Sequence, residues 1–226
     1  MQEKQWEKEY RDRKLVTLDD KPQSSVLKFL KFLKKEEKVR AENMCILDLG
    51  CGTGRNANYL ALLGNEVTGL EISATAISLA KSRSEEKGLT VTYIKGSIGA
   101  PYPFADNHFD MVLDVTSGNS LTEAEREMYI KETHRVLKSG GYFFVRALCK
   151  DADENAKYLI KQFPGPEKDT YIMPELGITE RVFTREDFTA TYGKLFTILK
   201  LDKETHYTRM NNRSYKRNFW IAYLQK

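Results

Sequence analysis

The segment that most constrains the fold is 45–73, where an apolar run, a glycine-rich turn, a helical pattern and a second apolar run follow one another. The first run, Cys45–Leu49, contains a single acid and is typical of a buried parallel strand. The helical pattern ends at Gly64, and the second apolar run ends on an acid, Glu71. This order predicts a βαβ unit, which binds ligands at the carboxyl ends of its strands.

The spacing of the glycines, at positions 50, 52 and 54, narrows the kind of ligand. A nicotinamide fingerprint needs G-x-G-x-x-G, and Arg55 stands where its last glycine would be; a triphosphate loop needs Gly-Lys-Ser/Thr, which this turn lacks. Glu71 follows Gly50 at about the distance from which an acid can accept from both ribose hydroxyls. The spacing therefore favours an adenosine-type ligand, with a glycine turn of some other doubly wound fold as the alternative.

The run 48–54, DLGCGTG, resembles the first motif of the class I S-adenosylmethionine-dependent methyltransferases of small-molecule type. Segments 104–115 and 135–141 resemble the fourth strand of that family and the turn before its fifth. The resemblance implies an α/β fold with a doubly wound, mostly parallel seven-stranded sheet in the order 3-2-1-4-5-7-6. The last strand would be antiparallel, formed with the sixth as a C-terminal hairpin around Asn211 and Asn212, and helices would cover both faces.

The resemblance also implies a cofactor, S-adenosyl-L-methionine, and a product, S-adenosyl-L-homocysteine. The glycines would admit the methionine part, Asp48 would fix the loop or meet the amino group, and Glu71 would accept from the ribose hydroxyls. Ser97 stands where the family often carries an acid beside the adenine, and its hydroxyl can still accept a hydrogen bond there. The expected cofactor contacts are Asp48, Gly50, Cys51, Gly52, Gly54, Arg55, Glu71, Ile72, Ser97, Ile98, Asp114 and Val115.

Methyl transfer from a sulfonium requires an aligned acceptor, and it needs a base only if the acceptor must lose a proton. The catalytic residue is therefore left unassigned, with Asp114 as the one candidate for a base or orienting group. Substrate-side candidates are Tyr10, Thr116, His206 and Arg209. For each the alternative is structural: Tyr10 and Trp6 could merely pin an N-terminal helix to the core, and the hairpin residues could form an exposed turn.

With 226 residues and no linker-like or low-complexity segment, the chain is expected to form a single domain. Within it we expect an N-terminal lid or scaffold (1–40), a cofactor-binding core (41–148), a substrate-side insertion (149–195) and the hairpin (196–226). The three cysteines lack metal-ligand spacing, so no metal is expected, and together with the charged N-terminus they favour a cytoplasmic protein. No apolar run approaches the ~20 residues that span a bilayer.

The net charge is +4, with basic residues in excess at both ends of the chain. Such ends could attract an anionic substrate or nucleic acid, or could simply be solvated. The sequence therefore predicts methyl transfer to an O, N or S nucleophile of a small molecule. The alternatives are an RNA or protein methyltransferase that docks through its basic termini, and a non-catalytic cofactor-binding partner of another subunit. Neither the acceptor nor the oligomeric state follows from the sequence.

Overall fold

The computed structural model describes residues 2–12, 19–210 and 213–226, and for 208–210 and 213–215 it describes the backbone only. The helices are α1 (Gln2–Asp12), α2 (Ser24–Phe32), α3 (Arg55–Leu62), α4 (Ala74–Glu86), α5 (Glu123–Val136), α6 (Glu154–Gln162) and α7 (Arg185–Tyr192). The strands are β1 (Cys45–Leu49), β2 (Glu66–Glu71), β3 (Thr92–Lys95), β4 (Phe109–Val115), β5 (Leu137–Leu148), β6 (Thr170–Ile172), β7 (Thr179–Arg181), β8 (Thr197–Met210) and β9 (Arg213–Gln225). None of the helices in these ranges is long and apolar enough to cross a membrane.

Within the described ranges, seven strands form one sheet in the order β3-β2-β1-β4-β5-β9-β8. The pairs from β3 to β5 are parallel, whereas β9 is antiparallel to both β5 and β8. Since β8 and β9 are the sixth and seventh strands of this sheet, the predicted order and the reversed last strand are confirmed. The strands β6 and β7 form a separate two-stranded sheet.

The apolar core lies in two layers, one on each face of the sheet, because successive side chains of a strand point to opposite faces. On one face, Leu47 and Val112 pack among residues of α5 and α7, including Tyr129 and Phe188. On the other face, Ile46, Met111 and Leu113 pack among residues of α2, α3, α4 and α6. Both faces are covered by helices, as parallel strands require.

Helix caps place several elements where the sequence predicts them. The hydroxyl of Ser73 accepts from the Ala76 N–H at the start of α4, and Thr184 does the same for Asp187 at the start of α7. Thr122 and Glu125 form a reciprocal capping box before α5. The sequence pattern predicts a helix to Lys138 and a strand from Tyr142, and both boundaries are wrong: α5 ends at Val136 and β5 begins at Leu137.

The hairpin of β8 and β9 extends beyond the carboxyl end of β5. Leu148, the last residue of β5, pairs with Phe219, and the pairs from Asn218 to Arg213 continue past it along β8. The hairpin therefore projects on the side of the sheet where the parallel strands end, as its predicted position requires. The turn predicted at Asn211 and Asn212 lies outside the described residues.

Candidate functional site

A cleft with a volume of about 240 Å³ opens at the carboxyl ends of β1, β2 and β4, above the glycine turn. Ligand clefts usually measure about 300–1,000 Å³, so this one is small. It is small because α1 lies against it, with Gln2, Trp6 and Tyr10 in its lining. The cleft is therefore built from residues far apart in the sequence.

The glycine turn brings bare backbone to the floor of the cleft. Gly50 and Gly52 have φ angles of +61° and +55°, which side chains other than glycine rarely adopt. A Cβ atom on Gly50 would overlap the hydroxyl of Ser117, and one on Gly52 would lie 2.7 Å from the hydroxyl of Tyr10. The N–H of Gly50 donates to the Leu70 carbonyl at 2.7 Å and so ties the turn to β2. Glycine is thus required at both positions.

Glu71, the last residue of β2, lies against the glycine turn at the cleft. One carboxylate oxygen accepts from the Gly52 N–H at 3.0 Å and the other from the Ser73 N–H at 2.9 Å. Burial raises the pKa of this carboxyl, and the two backbone donors act in the opposite direction by stabilising the charge. Each oxygen keeps acceptor capacity. The carboxylate is therefore fixed in place and able to accept from a pair of hydroxyls.

Asp48 is a buried acid at the end of β1 that lacks a full set of partners. Its side chain is 1% exposed, and its Oδ2 atom has no hydrogen-bond partner among the described residues. Burial, together with the nearby charge of Asp114, raises its pKa to about 7. A buried carboxylate of this kind is stabilised by a cation. The two carboxylates of the cleft thus fit a ligand with a positive group near Asp48 and a diol near Glu71.

The remaining wall of the cleft is mostly apolar. Its apolar residues include Ile72, which follows Glu71, and the buried residues Ile98 and Leu121. The hydroxyl of Ser97 also lines the cleft, where it accepts from the Gly99 N–H at 3.1 Å. Such a wall would enclose a flat aromatic ring and would place polar atoms at one edge of that ring.

Glu7 is one of the residues that hold helix α1 over the cleft. Its carboxylate accepts from the Ser73 hydroxyl at 2.7 Å and from the hydroxyl and N–H of Thr75, at 2.5 and 3.2 Å. The hydrogen bonds from Thr75 and Ser73 lower the pKa of Glu7 to about 2. Because Ser73 and Thr75 are at the N-terminus of α4, the helix dipole adds to this attraction. Glu7 acts as a cap for α4 supplied by a distant helix.

Asp114 lies behind the cleft rather than in its lining. Its oxygens accept from the Ser117 N–H at 2.7 Å, the Gly118 N–H at 3.0 Å and the Tyr129 hydroxyl at 2.6 Å. Burial raises its pKa to about 6, and these hydrogen bonds act in the opposite direction. The carboxylate holds the loop after β4 in place, and the geometry favours this positioning role over that of a base.

Thr116, the first residue after β4, lies in the lining with a φ angle of +70°. This conformation is strained for a β-branched residue, and such strain is concentrated at functional sites. Its N–H donates to the Arg146 carbonyl at 2.8 Å, and its carbonyl accepts from the Asn119 side chain at 3.1 Å. These bonds maintain the strain and present Thr116 to the cleft.

Most of the predicted site residues meet in this one cleft: Tyr10, Asp48, Gly50, Cys51, Gly52, Arg55, Glu71, Ile72, Ser97, Ile98, Val115 and Thr116. Gly54 does not; a Cβ there would overlap the Tyr93 hydroxyl, so this glycine allows close packing behind the turn. His206 is outside the lining, with its Nε2 3.3 Å from Glu204 Oε2. The Arg209 side chain lies outside the described residues. Their predicted roles stay predictions.

Sequence reasoning missed other lining residues, among them Gln2, Thr53, Asn56, Gly96, Ser117, Ser120 and Leu121. Thr53 and Asn56 adjoin the glycine turn, so their proximity to it was the available signal. Ser117, Ser120 and Leu121 follow β4 and could have been sought because ligands bind where strands of this kind end. Among the residues that the structure describes, no group of three His, Cys, Asp or Glu side chains is arranged to hold a metal ion.

Comparison with known proteins shows that the central part of the chain is similar to methyltransferases. Residues 46–141 match the family model described as a methyltransferase domain. An uncharacterized methyltransferase of Schizosaccharomyces pombe is 33% identical over 105 residues, which are 46% of this chain and 72% of that protein. A 2-heptyl-1-hydroxyquinolin-4(1H)-one methyltransferase of Mycobacteroides abscessus is 33% identical over 132 residues, which are 58% of this chain and 55% of that protein.

Among solved structures, a SAM-dependent methyltransferase of Methanosarcina mazei is similar, with a TM-score of 0.70 and 25% identity. The match covers 82% of this chain and 93% of that one. Curated relatives are matched over less of their own length: the chain spans 44% of one and 72% of another. The likeness is thus to the fold as a whole and, in sequence, to the part that contains the glycine turn and Glu71.

Proposed function

The chain belongs to the class I S-adenosylmethionine-dependent methyltransferases, and we propose that it transfers the methyl group of this cofactor to an O, N or S nucleophile of a small-molecule acceptor. The observation that carries the proposal is the Glu71 carboxylate, buried and fixed by the N–H groups of Gly52 and Ser73 at the edge of the cleft. In this proposal the whole chain works as a single methyltransferase domain.

The residues of the cleft suit the parts of the cofactor. Glu71 would accept from the ribose hydroxyls, and Ile72 and Ile98 would enclose the adenine with Ser97 at its edge. Asp48, which has an unsatisfied buried oxygen, would stabilise the amino group of the methionine part. The backbone of Gly50 and Gly52 would lie against that part without the hindrance of a Cβ atom.

When bound, the cofactor supplies an activated methyl group on a sulfonium. The protein has to hold the acceptor in line with that group and keep water away, and such positioning can lower the barrier by roughly 7–11 kcal/mol. Trp6 and Tyr10 on α1 and Thr116 after β4 border the cleft and would provide the acceptor side. Asp114 would act through the loop that it holds, by keeping Thr116 and Ser117 in position.

A small-molecule acceptor is supported by the covered cleft and by the relative from Mycobacteroides abscessus, whose name gives a quinolone as its substrate. Methylation of RNA or protein would require a macromolecule to reach a cleft across which α1 is docked. We also propose a cytoplasmic location, which is supported by three cysteines that are all free thiols.

The test is a calorimetric titration of the purified protein with S-adenosylhomocysteine, with NAD as the control ligand. We expect one-to-one binding of S-adenosylhomocysteine in the micromolar range and no binding of NAD. Binding of neither ligand would contradict the proposal. With binding established, a screen of small acceptors for release of S-adenosylhomocysteine would separate an enzyme from a non-catalytic binding partner.

A further inference from the structure

Arg146 is a buried cation next to the cleft that the function proposed above does not use. It lies near the carboxyl end of β5, paired with Val115 of β4, and its carbonyl accepts from the Thr116 N–H. Its side chain is only 9% exposed and points to the face of the sheet opposite to that of Val145 and Ala147. It is thus placed directly behind the residues that border the acceptor side.

Among the residues that the structure describes, the guanidinium of Arg146 has no anionic partner. In the described part of the chain it makes no ion pair and donates no hydrogen bond, and its Nε atom is buried without an acceptor. Instead it lies over the Phe219 ring, 3.4 Å from the ring centroid. A ring face attracts the cation and fixes the plane of its five N–H donors, but it does not satisfy them.

The charges around Arg146 do not neutralise it. The nearby cations are Arg55 and Arg217, and the nearby acid is Glu204. Glu204 is already paired, with Lys28 Nζ at 2.6 Å and His206 Nε2 at 3.3 Å. Burial and the two arginines lower the pKa of Arg146 to about 9, so it is still a cation at neutral pH. Among these described groups, none forms an ion pair with Arg146.

Arg126, which is buried, and Arg217, which is partly buried, also have an Nε atom without an acceptor, but their guanidinium groups make other polar contacts. Arg217 donates to the Tyr171 hydroxyl at 3.0 Å and lies 3.7 Å from Asp153. Arg126 donates to the Leu121 carbonyl at 2.6 Å. A buried charge without a partner is costly to the folded protein, and such groups are normally paired. Arg146 is therefore expected to receive its partner from a ligand.

We propose that Arg146 binds an anionic oxygen group, a carboxylate or a phosphate, carried by the methyl acceptor. The inference rests on the function proposed above, because the anion belongs to the methyl acceptor of that reaction. The anion would lie at the end of β5 while the acceptor atom lies near Thr116. The planar guanidinium, held against Phe219, offers two parallel N–H groups to two oxygens. Arg55, which lines the cleft, is a second cation near Arg146.

The experiment uses the whole protein saturated with S-adenosylhomocysteine and three probes: benzoate, phenyl phosphate and the neutral benzamide. Each is titrated by calorimetry into the wild type, Arg146→Met and Arg185→Met. Arg185 is the matched control because it also lies over an aromatic ring of β9, 5.7 Å from the Trp220 ring, but it is exposed. We expect at least one anion to bind the wild type and Arg185→Met in the millimolar range, and benzamide not to bind.

In Arg146→Met, anion affinity should fall at least tenfold, since a hydrogen bond to a charged group is lost, while affinity for S-adenosylhomocysteine is unchanged. The melting temperature should hold or rise, because an unpaired buried charge has been replaced by an apolar chain of similar length. Arg146→Lys keeps the charge without the planar fork and should bind the anion with intermediate affinity.

Equal anion binding by the wild type and Arg146→Met, or no binding of either anion to the wild type, would overturn the inference. So would a large fall in the melting temperature of both Arg146 variants, which would indicate a structural role. If S-adenosylhomocysteine itself failed to bind the wild type, the proposed function would fail. Titrating the probes into the protein without S-adenosylhomocysteine would then still show whether the anion site exists.

Discussion

At the scale of single residues, Glu71 shows how the fold prepares a ligand contact before the ligand arrives. Its two backbone donors, on Gly52 and Ser73, belong to separate loops, so the carboxylate is fixed only when both loops are in place. A preorganised acceptor binds more tightly because less conformational entropy is lost on binding. In the proposed function, the hydrogen bonds that it would accept from ribose hydroxyls should therefore have nearly their full value.

We predict that Glu71→Ala weakens binding of S-adenosylhomocysteine at least tenfold, because a charged hydrogen bond contributes about 1.5–3 kcal/mol. Calorimetry measures the affinity, and circular dichroism checks that the fold is intact. Glu66→Ala is the matched control, since Glu66 is an exposed acid at the other end of the same strand. An unchanged affinity in Glu71→Ala would rule out the ribose assignment.

We predict that cofactor binding releases a proton from Asp48. The pKa of this carboxyl in the free protein is about 7, so roughly half of the molecules carry the proton at pH 7. A cationic amino group beside it favours the ionised form. Titrations in phosphate and in Tris, which differ in ionisation enthalpy, should then give different binding enthalpies, corresponding to about half a proton released at pH 7.

This buffer dependence should disappear in Asp48→Asn and persist in the control Asp110→Asn. In the wild type the Asp110 carboxylate accepts from the Cys45 N–H at the opposite end of the sheet. Persistence in Asp48→Asn would assign the proton to another group.

The raised pKa of Asp48 also determines how its contribution to stability changes with pH. Because the pKa is raised from 3.8 in the unfolded chain, the contribution of Asp48 to the free energy of unfolding decreases as the pH rises through about 7.

The sequence predicted many of the residues that meet in the cleft because their signals are local. Gly50, Gly52 and Glu71 belong to one βαβ unit, and their spacing alone indicates a shared ligand. Arg146 has no such signal. It stands in an apolar strand, and the absence of a partner can be recognised only once the neighbouring strands and their side chains are placed.

At the scale of elements, α1 depends on contacts that no local pattern reveals. Glu7 reaches Ser73 and Thr75, and Gln5 donates to the Gly177 carbonyl at 2.6 Å. The sequence placed Trp6 and Tyr10 on one face but left open whether they form a lid or a pin. The structure puts both in the lining of the cleft, with Glu7 as the anchor.

We predict that Glu7→Gln loosens α1. Loss of the charge weakens three hydrogen bonds at the N-terminus of α4, and the amide hydrogens of α1 should exchange with solvent roughly ten- to a hundredfold faster, corresponding to about 1.5–3 kcal/mol. Hydrogen exchange followed by mass spectrometry measures this. Glu3→Gln is the control on the same helix; its partner, Lys95, is exposed, and such surface pairs contribute little.

The pH dependence of this anchor follows from the direction of the pKa shift. The pKa of Glu7 is lowered from 4.5 to about 2, so its contribution is complete above 4.5 and is lost as the pH falls towards 2. The protection of α1, corrected for intrinsic exchange, should be constant between pH 6 and 8. Equal exchange rates in Glu7→Gln and the wild type would show that other contacts hold α1.

At the scale of the whole molecule, the cleft brings together parts that are far apart in the sequence. It is lined by α1, by the turn after β1, and by the residues that follow β2, β3 and β4. A ligand in the cleft touches all of them, so its binding free energy opposes the unfolding of the domain as a whole. The strand order followed from the resemblance to the class I methyltransferases, whereas this convergence depends on the docking of α1.

We predict that S-adenosylhomocysteine raises the melting temperature and that the rise depends on α1. A ligand at 100 times its dissociation constant stabilises the folded state by about 2.7 kcal/mol. For a chain of 150–250 residues each kcal/mol shifts the melting temperature by about 2–4 °C, so the expected rise is roughly 5–11 °C.

At the same ligand concentration, a variant without residues 1–12 should show a smaller rise, because Trp6 and Tyr10 no longer border the cleft. Differential scanning calorimetry measures both, and NAD should shift neither. Equal shifts in the two proteins would mean that α1 covers the cleft without contributing to cofactor binding, and its role would then be confined to the acceptor.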